Sequence, residues 1–128
     1  MSPTLRRILF GCALIAVLIS GVIMGQNKYG QPKTVIHVVT GKWKPESTPE
    51  QRQKAIEGIK VMAAKIPGIK NIWIKPTKIQ PSEFNYAFVI EFESEAALNT
   101  YAGHPEHDKW GAIYGEAREE SRNNVITN

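Results

Sequence analysis

Apolar, uncharged positions run unbroken from Ile8 to Gly25, give way to polar residues, and resume from Val35 as shorter patterns of two different periods. The first run, ILFGCALIAVLISGVIMG, directly follows Arg6-Arg7. A secretory signal has an apolar core of about 7 to 15 residues, whereas a spanning helix needs roughly 17 to 25. Residues 1–25 therefore read as an N-terminal hydrophobic helix serving as signal anchor or signal peptide. Cleavage after Gly25 or Gly21 would leave Ile23 or Ile19 three positions before the cut, unlike a small-x-small site, which favours the anchor. Arg6 and Arg7 would keep the N-terminus in the cytoplasm and direct the rest to the periplasm or exterior, or into the medium if the segment is cleaved. Residues 26–34, with Gly30 and Pro32, read as a linker.

The patterns from Val35 onward predict one domain over residues 35–128. The β-branched run Val35-Ile36-His37-Val38-Val39 predicts a first strand that continues through Trp43 and ends at Lys44-Pro45. Thr48-Pro49-Glu50-Gln51 predicts a capped helix start, with Gln51 reaching back to the Thr48 amide. Ala55, Ile56, Ile59, Met62, Ala63 and Ile66 make its apolar stripe, and Pro67-Gly68 stops it. A second strand spans residues 69–74. Strict alternation then puts Tyr86, Phe88, Ile90 and Phe92 on one face of a third strand and Ala87, Val89 and Glu91 on the other. Ser94 caps a short helix carrying Ala97, Leu98 and Tyr101, with Gly103 as its expected left-handed terminator. Pro105 opens a last helix with Trp110, Ile113, Tyr114 and Ala117 facing inward, and residues 122–127 make a last short strand.

The order β-α-β-β-α-β is α+β and ferredoxin-like: a four-stranded antiparallel sheet with helices on one side. Strands 1 and 3 carry apolar residues on both faces, yet one helical layer covers only one. A homodimer closing sheet against sheet as a dimeric α/β barrel is the expected completion.

Charge and cysteine usage remove several function classes. The net charge is +4, but from Gln26 on there are fourteen basic and twelve acidic residues with no basic cluster, so no footprint for nucleic acid appears. The single cysteine, Cys12, lies in the apolar run, leaving the domain without a disulfide, a CxxC site or a thiol nucleophile. No phosphate-cradling loop, dinucleotide fingerprint or Ser–His–Asp pattern is present, and no cofactor is expected.

Candidate chemistry gathers in Tyr101-Ala102-Gly103-His104-Pro105-Glu106-His107, which holds two of the three histidines. The third, His37, sits in a strand that this topology makes central, where an imidazole needs a partner or a cavity. Gly41 suggests a bulge or a close backbone approach. A metal set drawn from His37, His104, His107, Asp108 and Glu106 has suitable donors but only a fragment of ligand spacing, so no metal is expected.

The segments Ile36-His37-Val38-Val39, Lys42-Trp43-Lys44, Ile66-Pro67-Gly68, Phe88 to Phe92, Glu95-Ala96-Ala97-Leu98 and above all Tyr101 to His107 resemble the stress-responsive A/B barrel domain, a dimeric α+β barrel. In a plant polyketide cyclase of that family, the positions matching His107 and Tyr101 carry acid–base aldol chemistry and the one matching His37 lines the same pocket. The resemblance thus implies His37, Tyr101 and His107 as catalytic candidates. Trp43, Tyr86, Phe88 and His104 are the expected pocket wall for a small apolar or aromatic ligand; the competing readings are ordinary core packing for the three aromatics and an N-cap role before Pro105 for His104. One departure is Lys75-Pro76, where the family commonly has a glycine, which bears on pocket shape. Most members have no assigned reaction, so the competing expectation is a non-catalytic ligand-binding or stress-related scaffold dimer. Alanine substitution of His107 or Tyr101 separates the two: turnover lost with folding intact points to catalysis.

Overall fold

The computed structural model describes residues 33–127. The apolar run 8–25 and nearly all of the 26–34 linker lie outside them. Among the described residues no helix is long and apolar enough to cross a membrane.

The elements are β1 (Val35–Trp43), α1 (Pro49–Ala63), β2 (Ile69–Trp73), β3 (Tyr86–Phe92), α2 (Glu95–Ala102), α3 (Pro105–Ala117) and β4 (Arg118–Thr127). The strands form one antiparallel sheet in the order β2-β3-β1-β4. This is the ferredoxin-like arrangement, with β1 and β3 at the centre.

Register decides which residues reach the helices. Val35 pairs with Phe92, His37 with Ile90, Val39 with Phe88 and Gly41 with Tyr86. With a side-chain period of two, these residues share one face. Val35, Val39, Tyr86, Phe88, Ile90 and Phe92 are all at most 4% exposed there, under Ile59 and Met62 of α1 and Trp110 and Tyr114 of α3. The opposite face carries Ile36 and Val38 beside Val89. Trp73 pairs with Val89 and Ile126 with Ile36, so both lie on that outward face, 48% and 57% exposed.

Local chemistry sets the helix ends. The Thr48 hydroxyl accepts the Gln51 amide at 3.2 Å and the Gln51 side chain accepts the Thr48 amide at 2.9 Å, closing a reciprocal cap. Helix α1 ends at Ala63, earlier than the expected stop at Pro67-Gly68. Proline disfavours helical backbone in the residue before it, so the chain leaves the helix through a turn that still buries Ile66. Gly68, at φ 84°, makes the reversal into β2.

Two further expectations are corrected. Gly103 is not left-handed: its φ is −102°, because α2 and α3 are joined by a tight corner needing no positive-φ reversal. The last strand begins at Arg118, not at residue 122, since β1 is long enough to pair Trp43 with Arg118 across a register shift at Lys42/Trp43. Its charged first residues lie on an exposed edge, so apolar alternation could not announce them.

Gly41 is a point of close approach. The Tyr86 ring lies where a side chain at 41 would be, and the Tyr86 hydroxyl contacts the Tyr114 hydroxyl at 2.6 Å and donates to the Glu120 carbonyl at 3.2 Å.

Candidate functional site

Three elements bring one phenol and two imidazoles together. His37 is the polar member of the core-facing row of β1, between Val35 and Val39 and paired with Ile90 and Val125. Tyr101 ends α2, whose first turn is fixed by the Ser94 hydroxyl accepting the Ala97 amide. The corner that follows is held by backbone bonds from the His104 amide to the Tyr101 carbonyl and from the His107 amide to the His104 carbonyl, 3.1 and 2.9 Å. It delivers His107 on the first turn of α3, beside Tyr101.

Tyr101 is in reach of both histidines, its ring centroid 4.4 Å from that of His107 and 6.3 Å from that of His37. Phe92, fully buried, backs the phenol at 5.0 Å. Trp110 lies 6.0 Å beyond His107, donates its indole N–H to the Ala55 carbonyl at 2.8 Å, and stacks on Tyr114 at 4.7 Å. The three candidates line a cavity of about 270 Å³ between sheet and helices, with Val39, Phe88, Trp110 and Tyr114 as its apolar side and Arg118, Ser121 and Asn123 at the β4 end.

The electrostatics keep these groups uncharged near neutrality. Burial lowers the His37 pKa below the ordinary 6.5, and the nearby His107 lowers it further. Burial also lowers His107, against opposing pulls from Asp108 and the Ala102 carbonyl. Burial, and then Tyr114, raises the Tyr101 phenol far above its ordinary range. The site therefore presents two neutral imidazoles able to accept a proton and one phenol that keeps its own. By distance and angle, Nδ1 of both histidines is buried without a hydrogen-bond partner among the described residues: the Ala102 carbonyl that pulls on His107 does not meet hydrogen-bond geometry at Nδ1, and the nearest carboxylate is Asp108 at 3.9 Å. Buried polar atoms are seldom left so, and those that are call for a functional explanation.

The lowered values make a stability prediction whose sign is fixed. As pH falls, the unfolded chain takes up protons at the ordinary histidine value before the folded one does. The native state is thus fully favoured above about pH 6.5 and loses stability as pH falls through the lowered folded values. In urea unfolding between about pH 7.5 and 5.5, H37L is expected to lose less stability than the unmodified chain. Equal losses would show that His37 is not held neutral.

The expected pocket wall is corrected in part. Phe88 lines the cavity; Trp43, Tyr86 and His104 do not. Trp43 and Tyr86 stack on each other at 3.9 Å in the core, and the Tyr86 hydroxyl is engaged by Tyr114 and Glu120. His104 caps α3, its Nδ1 accepting the Glu106 amide at 3.1 Å. Glu106 points to lysines: Lys109 at 2.6 Å and Lys65 at 2.9 Å hold its carboxyl down at about 2. Among the described residues no group of three or more His, Cys, Asp or Glu side chains is placed to share a metal ion. Sequence reasoning missed Arg118, Ser121 and Asn123. Alternation continued backwards from Val125 along β4 reaches Asn123 and Ser121; Arg118 joins that face only through the register shift at Lys42/Trp43, which the sequence does not signal.

Comparison with known proteins places this geometry. The family model described as the stress responsive A/B barrel domain matches residues 35–123. Similar solved structures include a dimeric ferredoxin-like protein of unknown function from Thermobifida fusca, 22% identical with TM-score 0.66, covering 80% of this chain and 98% of that one. The hydroxynitrile lyase of Passiflora edulis is 18% identical with TM-score 0.65, covering 74% and 93%. SnoaB, a cofactor-independent oxygenase from Streptomyces nogalater, is 11% identical with TM-score 0.62, covering 75% and 93%. No curated protein matches the chain. At such identities the likeness is one of fold, and the two enzymes have different activities on it.

Proposed function

The chain belongs to the stress responsive A/B barrel domain family, and from that membership we propose that it is a homodimer whose cavities bind a small carbon acid and move its proton. The observation that carries this reading is that His37 and His107, each with a buried Nδ1 and a lowered pKa, line one cavity together with Tyr101. His107, on the rigid first turn of α3, is assigned as the base that takes a proton from carbon. Tyr101 donates its O–H to the oxygen on which negative charge develops, a role that suits a phenol with a raised pKa. His37 lines the same space and is held neutral by burial and by its proximity to His107. β-Dicarbonyl compounds of the polyketide type are the substrate class, because their C–H acidity lies within reach of an imidazole.

Two further parts of the reading rest on sequence and family. Dimerisation through the outward sheet face covers Val38, Val89, Trp73 and Ile126; the Thermobifida fusca relative is itself dimeric. Residues 8–25 tether the domain to a membrane, facing the periplasm or exterior.

The cavity volume sits just under the usual range for ligand pockets, so small ligands are expected. Native mass spectrometry of the full chain with acetylacetone, benzoylacetone and benzoylacetate is expected to show a dimer taking up to one ligand per protomer. H107Q should retain the dimer and weaken the uptake. A chain that takes up none of the three, or takes them up equally after H107Q, would count against the reading.

A further inference from the structure

Arg118 stands at the junction of α3 and β4, the last turn of the helix being closed by its amide on the Tyr114 carbonyl. Its guanidinium carbon lies 4.9 Å from the centre of the Tyr114 ring. That ring is itself held by the Tyr86 hydroxyl and the Trp110 stack. The guanidinium thus rests on a fixed aromatic shelf at the β4 end of the cavity.

What it lacks is an anion. Two glutamates directly follow it in sequence, yet Glu119 is taken by Lys42 at 3.1 Å and Glu120 by Arg122 at 3.4 Å. Among the described residues no carboxylate comes within 4.0 Å of Arg118, and no residue lining the cavity carries a carboxylate. With both imidazoles neutral, Arg118 supplies the full positive charge among the residues lining that space. Beside it, Ser121 and Asn123 line the same end and offer hydrogen-bonding side chains.

We infer that Arg118 is a specificity-determining residue that binds the carboxylate of an acidic substrate at the β4 end, holding the rest of the molecule against Tyr101 and the histidines. The inference rests on the cavity being a small-molecule site, and it narrows the substrate from carbon acids in general to those bearing a carboxylate. A guanidinium recognises a carboxylate with two parallel N–H donors, which fixes orientation as well as affinity. An amide of the same shape offers neither the charge nor the second acceptor.

The test compares benzoylacetate with benzoylacetamide on the full chain, in the unmodified protein and in R118Q and R118K. The unmodified protein is expected to bind the carboxylate about 10- to 100-fold more tightly than the amide. R118Q should lose that preference while binding the amide as before, and R118K should recover part of it. Equal affinity of the unmodified protein for the two ligands, or an equal loss for both in R118Q with none recovered in R118K, would overturn the role of Arg118 and leave the cavity reading standing. Failure of both ligands to bind the unmodified protein would overturn the cavity reading and this inference together.

Discussion

Aspartate at both Val38 and Val89 is expected to convert the proposed dimer into a folded monomer. The two residues face each other across the central strands on the outward side of the sheet. In an isolated protomer that side meets water, so the carboxylates stay solvated there, at the modest cost of their mutual repulsion across the strand pair and of aspartate's poor fit to a strand. In a sheet-against-sheet dimer each protomer would instead bury two carboxylates without partners, the costliest arrangement for a charge. Association should weaken by at least about 100-fold. Sedimentation velocity of the full chain in detergent, with circular dichroism to confirm folding, reads this directly. A double variant that stays dimeric at unchanged affinity would place the interface elsewhere.

The second large effect is on stability, at Gly41. A β-carbon there would overlap the Tyr86 hydroxyl and lie 2.5 Å from the Glu120 carbonyl. The phenol has nowhere to go, being stacked on Trp43 and bonded to Tyr114. G41V therefore overpacks the site and breaks a buried hydrogen-bonded pair. The two contributions together are expected to cost about 2–4 kcal/mol. For a domain of this size that lowers the melting temperature by roughly 8–30 °C. Removing the obstructing ring should recover part of the loss: G41A/Y86L is expected to be less destabilised than the sum of its single substitutions, the mark of two residues competing for one space. A melting temperature unchanged in G41V would contradict the packing described for this corner.

Much of this was legible in the sequence for identifiable reasons. Strand β3 announced itself because Tyr86, Phe88, Ile90 and Phe92 alternate with smaller residues over its full length, and every one of the four is buried. The reciprocal cap at Thr48 and Gln51 needs residues only three apart, so it could be read locally. That a histidine at the start of the last helix could approach His37 followed from topology, because a β-α-β-β-α-β chain makes β1 central; that Tyr101 joins them was implied by the family resemblance.

The parts that could not be read depend on distant partners. Trp43 and Tyr86 are aromatic and inward, as a pocket wall would be, but their rings stack on each other and so close the space rather than line it. His104 is the exception: ahead of Pro105 it could be read locally as a helix cap as well as a pocket histidine, and the structure shows it capping α3. Arg118 sits in the run Arg118-Glu119-Glu120-Ser121-Arg122, which reads as a solvated charged stretch. Only the pairing of Glu119 with a lysine of β1, and of Glu120 with Arg122, leaves Arg118 free.

The measurement that tests the proposed chemistry most directly is deuterium exchange at the activated carbon of benzoylacetate in D2O, followed by NMR with catalytic amounts of the full chain. The unmodified protein is expected to accelerate exchange over buffer. H107Q and Y101F should each lower that rate by about 100-fold or more while remaining folded dimers, and H104N, which preserves the helix cap, should leave it unchanged. Exchange that persists undiminished in H107Q, or that never exceeds the buffer rate in the unmodified protein, would contradict proton transfer at this site.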